Sequence, residues 1–190
     1  MLTKSKQVVR KTILTLLKNQ KEEDRLGKSR KIREKVFEDP DFARSRTVLF
    51  YASFAGEVET FEMMRQAMQE GKQIALPRVN VHTKELFPKC VVNLEEDLEY
   101  GPYNIRQPKG DVAQDIDINT IDLVVVPAVA FDRKCYRLGR GAGYYDRFLT
   151  KLPSGIPLVG IAFDFQILDE LPIEEHDLPV SRVITETAVF

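Results

Sequence analysis

Apolar residues in this chain follow two rhythms that alternate from one end to the other. Over residues 3–19, Val9, Ile13, Leu16 and Leu17 fall at helical spacing and predict an amphipathic helix with one apolar stripe. A second helix is predicted over 22–37, charged outside, with Ile32, Val36 and Phe37 turned inward. Asp39-Pro40 ends it, because the residue before proline avoids helical dihedrals. Residues 47–52 are apolar and rich in β-forming side chains, so a strand is predicted there, then a loop over 53–60 and a helix over 61–70. A turn and short strand follow over 71–78. Another strand is predicted over 85–92, near a sheet edge because Pro88 lacks the amide that a central ladder needs. Residues 100–110, with Gly101-Pro102 and Gln107-Pro108, read as a turn-rich connector packed against the domain.

The most hydrophobic run is 121–130. Apolar residues on both faces mark a parallel strand covered by helices, so this run is predicted to be central in a sheet. A helix over 144–152, a buried strand over 156–162, a loop or short helix over 163–168 and a last strand over 182–185 complete the order. Strands alternating with helices predict an α/β protein, a three-layer fold with a mostly parallel central sheet. At 190 residues the chain is expected to form a single domain, residues 1–190.

Composition narrows the function classes. A formal net charge of −1 argues against a nucleic-acid binder, whose surface would be strongly basic. Two cysteines, Cys90 and Cys135, without metal-ligand spacing exclude a disulfide scaffold or zinc site, and His82 and His176 alone cannot make a metal cluster. No stretch approaches the roughly 20 apolar residues of a membrane span, and the amino terminus lacks a signal-peptide core. The expectation is a soluble, cytoplasmic domain with neither nucleic acid nor membrane among its partners.

Candidate chemistry centres on residues 137–147. Gly139, Gly141 and Gly143 stand at alternate positions, where glycine allows positive φ and a close backbone approach to a ligand. Successive amides in such a turn form an anion-binding concavity, and Arg137, Arg140 and Arg147 add guanidinium forks that match phosphate oxygens. The helix that opens at Tyr144-Tyr145-Asp146 favours phosphate again at its amino end. Both a Walker loop and a dinucleotide fingerprint are excluded, since each needs a glycine where Tyr144 stands. The residues read as a phosphate site.

Elsewhere, ordinary readings compete with functional ones. Lys6 and Arg10 lie one helical turn apart beside the apolar stripe, as solvated rim cations do. Glu57 follows the 47–52 strand, at the strand end where ligands of open α/β sheets gather; Glu59, nearer the next helix, suits a charge complementing the helix dipole. Asp177 reads equally well as a turn former, Arg78 as a solvated loop arginine, and Cys135 as a loop cysteine without a catalytic partner.

Residues 137–146 closely resemble the signature of the 5-formyltetrahydrofolate cyclo-ligase, or methenyltetrahydrofolate synthetase, family. Three further segments support the resemblance: Lys6 to Arg10, Glu57 to Thr60, and His176-Asp177 with Pro179. It implies ATP-dependent closure of 5-formyltetrahydrofolate to 5,10-methenyltetrahydrofolate with magnesium required, on a Rossmann-like fold shared with sugar-phosphate isomerases. ATP would be bound by Lys6, Arg10, Arg137, Leu138, Gly139 and Arg140, and by Gly141, Ala142, Gly143, Tyr144 and Tyr145. Glu57 would contact the pterin, with Ala52, Phe54, Arg140 and Tyr144 completing the folate site. Arg140 and Lys6 would carry catalysis, Asp146 and Asp177 would hold magnesium, and the protein would be a monomer or weak homodimer. The sequence departs from the family where a second acidic residue usually follows Pro179 by two positions, since Ser181 stands there. The rival reading is a non-catalytic sugar-phosphate-binding sensor domain of similar fold, for which the amino-terminal helices show no DNA-binding or oligomerisation pattern. A sugar-phosphate isomerase with Asp146 as base would lack a partner for that base.

Overall fold

The computed structural model describes residues 5–110, 113–174 and 177–190. Helix α1, Lys6–Lys18, starts at Ser5, whose hydroxyl accepts a hydrogen bond from the Val8 amide at 3.4 Å. It buries Val9, Ile13 and Leu17, while Leu16 lies on the flank of the stripe, 45% exposed. Helix α2, Glu22–Glu38, buries Ile32 and Val36 together with Ser29.

Asp39-Pro40 ends α2 as expected and also starts another helix that the apolar rhythm did not predict. In α3, Pro40–Arg44, the Asp39 carboxylate accepts from the amides of Asp41 at 2.9 Å and Phe42 at 3.1 Å, with proline in the first turn. An aspartate cap before proline is a strong helix start; it was hidden because five residues are too few to show a period.

The chain continues through β1 (Thr47–Leu49), α4 (Phe61–Gln69), β2 (Gln73–Asn80), β3 (Glu85–Val91), β4 (Leu98–Tyr100) and β5 (Arg106–Pro108). It then forms β6 (Leu123–Val126), β7 (Ala130–Asp132), β8 (Arg137–Leu138), α5 (Tyr144–Leu149), β9 (Leu158–Ile161), β10 (Ile167–Leu168) and β11 (Arg182–Ile184). Six strands make the central sheet in the order β11-β9-β6-β1-β2-β3. Its neighbours run parallel, except for the β2–β3 hairpin, where β3 forms the antiparallel edge.

Side chains alternate across this sheet. Val48, Ile74, Leu76, Leu123, Val125 and Ile161 face a core shared with α1 to α4. Leu49, Ala75, Val124, Val126 and Val183 face a second core shared with α5. Among the described residues the three layers are therefore unequal, with four α-helices on one face and one short α-helix on the other. No helix among the described residues is long and apolar enough to cross a membrane.

Three predicted elements come out differently. The 121–130 run is two strands, because Pro127 has no amide for the ladder and the chain leaves the sheet there. The Gln166 side chain then donates to the freed carbonyls of Ala128 and Val129, at 3.1 and 3.0 Å. The first strand stops at Leu49 rather than residue 52. The 100–110 connector contains the arm of a hairpin, β4 paired antiparallel with β5, which reaches over the end of the sheet.

A small sheet, ordered β10-β7-β8, carries the chain from β6 toward the glycine loop. At the turn between β7 and β8, the buried Asp132 carboxylate accepts from the amides of Lys134, Tyr136 and Leu171 at 2.9, 3.0 and 3.2 Å. Helix α1 packs against β7, which brings α1 beside the residues that follow.

Candidate active site

A cavity of about 380 Å³ lies beyond the carboxyl ends of β1 and β6. Tyr51 and Ala52 follow β1 into it, Pro127 and Ala128 follow β6, and Val79 and Leu86 close one side from the β2–β3 hairpin. Its floor is apolar. The charges that line it come from two loops, 53–60 and 137–146, and from Arg106 on β5.

The first loop is braced across its base. The Thr60 hydroxyl donates to the Tyr51 carbonyl at 2.7 Å and accepts from the Ser53 amide at 3.1 Å, while the Thr60 amide donates to the Ser53 hydroxyl at 3.2 Å. Within that brace Glu57 is buried, its side chain 10% exposed. One carboxylate oxygen accepts from the Phe54 amide at 3.3 Å, and the other from Arg140 Nη2 at 2.8 Å and Nε at 3.3 Å. Arg140 also lies over the Phe54 ring, 4.2 Å from its centroid, close enough for a cation–π contact. Burial raises the Glu57 carboxyl above its ordinary value, with the Arg140 charge and hydrogen bonds pulling against it. Glu57 and Arg140 thus join the apolar cavity to the basic loop.

The second loop is held from three sides. Arg10 donates from Nε to the Gly139 carbonyl at 2.8 Å, so its fork is directed at the loop rather than into solvent. Arg147 donates to the Ala142 carbonyl at 2.7 Å and to the Lys84 carbonyl at 2.9 Å. Gly141 and Gly143 have φ of 105° and 70°, a backbone conformation that favours glycine at both. Arg137 is almost fully buried and ion-paired with Asp146. Burial lowers its guanidinium, opposed by the charges of Asp146, Tyr145 and Asp177. Its Nε and the Tyr145 hydroxyl are buried with no hydrogen-bond partner among the described residues. Burial also pushes the Tyr145 phenol far above its ordinary value. Tyr144 is raised by burial and by a hydrogen bond with Tyr103, across the cavity mouth.

Lys6, the first residue of α1, contacts Glu174 at 2.8 Å and Asp177 at 3.0 Å. Burial pulls its ammonium down, but hydrogen bonds with Glu174 and Asp177 outweigh it, and the net shift is upward. Asp177 also accepts from the Glu174 amide at 2.8 Å. His176 of the same segment lies outside the described residues. Ser181 builds the sheet: its hydroxyl accepts from the Leu158 amide at 3.0 Å, and its amide donates to the Leu158 carbonyl at 2.8 Å.

The structure therefore brings Ala52, Phe54, Glu57, Arg137, Arg140, Tyr144, Tyr145 and Asp146 to one cavity. Arg10 joins through the Gly139 carbonyl. Lys6 and Asp177 stand together at the amino end of α1, and Arg137 feels both Asp146 and Asp177. Among the described residues no three His, Cys, Asp or Glu side chains are grouped to hold a metal by themselves. Sequence reasoning missed Tyr51 and Tyr103 in the cavity lining and Glu174 beside Lys6. Of these only Tyr103, an aromatic in a Gly-Pro turn, carries a local signal.

The model of the 5-formyltetrahydrofolate cyclo-ligase family matches residues 2–186. The chain is 32% identical over 152 residues to the 5-formyltetrahydrofolate cyclo-ligase of Escherichia coli (strain K12), covering 80% of this chain and 84% of that one. It is 30% identical over 172 residues to the protein of the same name from Mus musculus, covering 86% and 85% of the two chains. Among solved structures, the NMR structure of Aquifex aeolicus 5,10-methenyltetrahydrofolate synthetase superposes with a TM-score of 0.85 at 33% identity, covering 97% of this chain and 91% of that chain. The Mycoplasma pneumoniae 5,10-methenyltetrahydrofolate synthetase shares the fold, with a TM-score of 0.77 at 23% identity, covering 96% and 99%.

Proposed function

The chain belongs to the 5-formyltetrahydrofolate cyclo-ligase family and carries that family's conversion of 5-formyltetrahydrofolate to 5,10-methenyltetrahydrofolate, and we propose that it does so with ATP and magnesium, through a phosphorylated formyl oxygen. The observation that carries this reading is the Glu57–Arg140 pair, which couples an apolar cavity to a phosphate-type loop. A cavity of about 380 Å³ sits at the small end of ligand pockets; it suits a bicyclic ring, with the rest of the folate outside.

A formyl oxygen on nitrogen is a poor leaving group. In the proposed reaction it attacks the γ-phosphorus, the bond to ADP breaks, and the oxygen becomes part of a phosphate ester. The folate's second nitrogen then attacks the formyl carbon, loses its proton, and the carbon–oxygen bond breaks to release phosphate. Arg140, Lys6 and the amides of residues 139–143 would spread charge from the transferring phosphoryl. Glu57 would accept from pterin N–H groups and hold the formyl oxygen in line. No covalent enzyme intermediate is needed.

Magnesium takes few carboxylates and completes its shell with phosphate oxygens and water. Asp146 and Asp177 fit it on those terms, as two carboxylates whose charges both act on Arg137, and, among the described residues, not as a closed protein cage. The metal would supply charge neutralisation at the phosphates.

The test is a spectroscopic turnover assay with 5-formyltetrahydrofolate. Methenyl product is expected only when ATP and magnesium are both present; an undiminished rate without ATP would remove the phosphorylated intermediate. A separate expectation concerns Lys6. Lys6→Met keeps a long apolar stem, so the melting temperature should change little. Loss of a charged hydrogen bond of about 1.5–3 kcal/mol should lower kcat/KM for ATP about tenfold to a hundredfold, with folate binding alone unmoved. Unaltered ATP kinetics would return Lys6 to a purely structural pairing with Glu174 and Asp177.

A further inference from the structure

The turn that presents Glu57 is strained. Ala55 and Gly56 both have positive φ, 50° and 85°, and the Glu57 amide closes the turn on the Phe54 carbonyl at 3.1 Å. Two positive φ values in succession define a turn that favours asparagine, aspartate or glycine first and glycine second, and alanine occupies the first position. Strain of this kind persists only where the surroundings over-determine it.

The surroundings here come from the corner between α1 and α2, behind the cavity. Gly56 is pressed against α1 so closely that a Cβ would lie 2.1 Å from the Leu17 carbonyl oxygen. Gln20 donates from Nε2 to the Gly56 carbonyl at 3.1 Å. Arg25 donates from Nη1 to the Glu57 carbonyl at 2.9 Å, while its Nε and Nη2 fork onto the Glu22 carboxylate at 2.8 and 2.6 Å. The Ser29 hydroxyl accepts from the Glu59 amide at 3.0 Å. The Arg25 side chain is only 15% exposed, yet neither it nor Gln20 lines the cavity. A guanidinium fixed by a two-point fork on one side presents its remaining N–H in one direction, and that direction is the backbone of Glu57.

We propose that Arg25, assisted by Gln20, is a positioning residue for the folate half of the reaction. It touches no substrate. It holds the carbonyl of Glu57 from behind, so that the strained turn keeps the carboxylate aimed at Arg140 and the cavity. Without it, Ala55 relaxes toward negative φ and the carboxylate loses its alignment, while the nucleotide loop, pinned by Arg10 and Arg147, is undisturbed. The proposal rests on Glu57 being the pterin contact.

Binding of 5-formyltetrahydrofolate without ATP, read by titration calorimetry, tests it alongside steady-state KM for each substrate. Arg25→Met is expected to weaken folate binding about tenfold, the lower end of what one charged hydrogen bond contributes, and to leave KM for ATP unchanged. Arg25→Lys, which keeps one donor, should recover most of that loss. Glu57→Gln is the control. If it weakens folate binding and Arg25→Met does not, the positioning role is overturned while Glu57 keeps its own. If neither variant moves folate binding, the Glu57 reading fails and this one with it. Equal loss for both substrates, unrestored by lysine and matched by a lower melting temperature, would make Arg25 a mere brace and overturn the proposal. Should Arg25→Met not fold, Glu22→Gln loosens the same fork at an exposed residue and should weaken folate binding about threefold; no change there also overturns it.

Discussion

Arg140→Met is expected to lower kcat for methenyl formation by roughly a thousandfold, the lower end of what an arginine on a transferring phosphoryl contributes. Methionine loses the guanidinium that lies over Phe54, but Arg140 is partly exposed, so folding should survive. The substitution also takes away the charge that holds the Glu57 carboxyl down against burial. In the variant that carboxyl should rise further and become protonated nearer neutral pH, turning an acceptor for pterin N–H groups into a donor. Single-turnover rates across pH read both effects together. A fall of less than tenfold with an unshifted pH profile would reduce Arg140 to a partner of Glu57 and leave the phosphoryl to other cations.

Glu57→Gln is expected to lower kcat/KM for 5-formyltetrahydrofolate by about a hundredfold, since a buried charge-assisted contact contributes about 1.5–3 kcal/mol, with much less effect on KM for ATP. Its stability should move the other way. The Glu57 carboxyl is raised in the folded protein by burial, so the folded state binds this proton more tightly than the unfolded chain. The stability it contributes is fully present below the ordinary carboxylate value of about 4.3 and is lost as pH rises through the raised one. Glutamine has no charged form to bury. The variant should therefore melt above the parent at neutral pH, and the two should converge near pH 4. A variant that melts lower at neutral pH would mean that the ion pair with Arg140 outweighs the burial of its charge. Loss of function with gain of stability is what a site that buries a charge for its substrate should show.

The two loops of the site were not equally legible. Residues 137–146 announce themselves because everything the loop needs is local: glycines at the positive-φ positions Gly141 and Gly143, arginines beside them, and a helix opening at Tyr144. Apart from the family resemblance, Glu57 was legible only as a carboxylate after a strand. Its burial and its bond to Arg140, 83 residues away, follow from which strands neighbour each other. Lys6 and Arg10 show the limit most clearly. Side by side on one helix rim, they have the pattern of solvated cations, yet one reaches Asp177, 171 residues on, and the other the Gly139 carbonyl, 129 residues on. No local period carries that information.

The sequence by itself determined most of the elements, their order and the glycine loop, because helical spacing, strand runs, proline stops and glycine φ preferences act over a few residues. It also held the cap at Asp39 and the ladder break at Pro127, both local effects that the apolar rhythm obscured. Only the tertiary structure decided that four helices cover one sheet face and one covers the other, and that β3 is the antiparallel edge. It alone decided that the carbonyl of Glu57, next to the strained turn, is tied to Arg25 across 32 residues, and that Arg137 pairs with Asp146 and feels the charge of Asp177. The physical reason is range. Backbone preferences belong to neighbours along the chain, whereas burial, ion pairing and the shift of a carboxyl belong to whatever the fold places opposite.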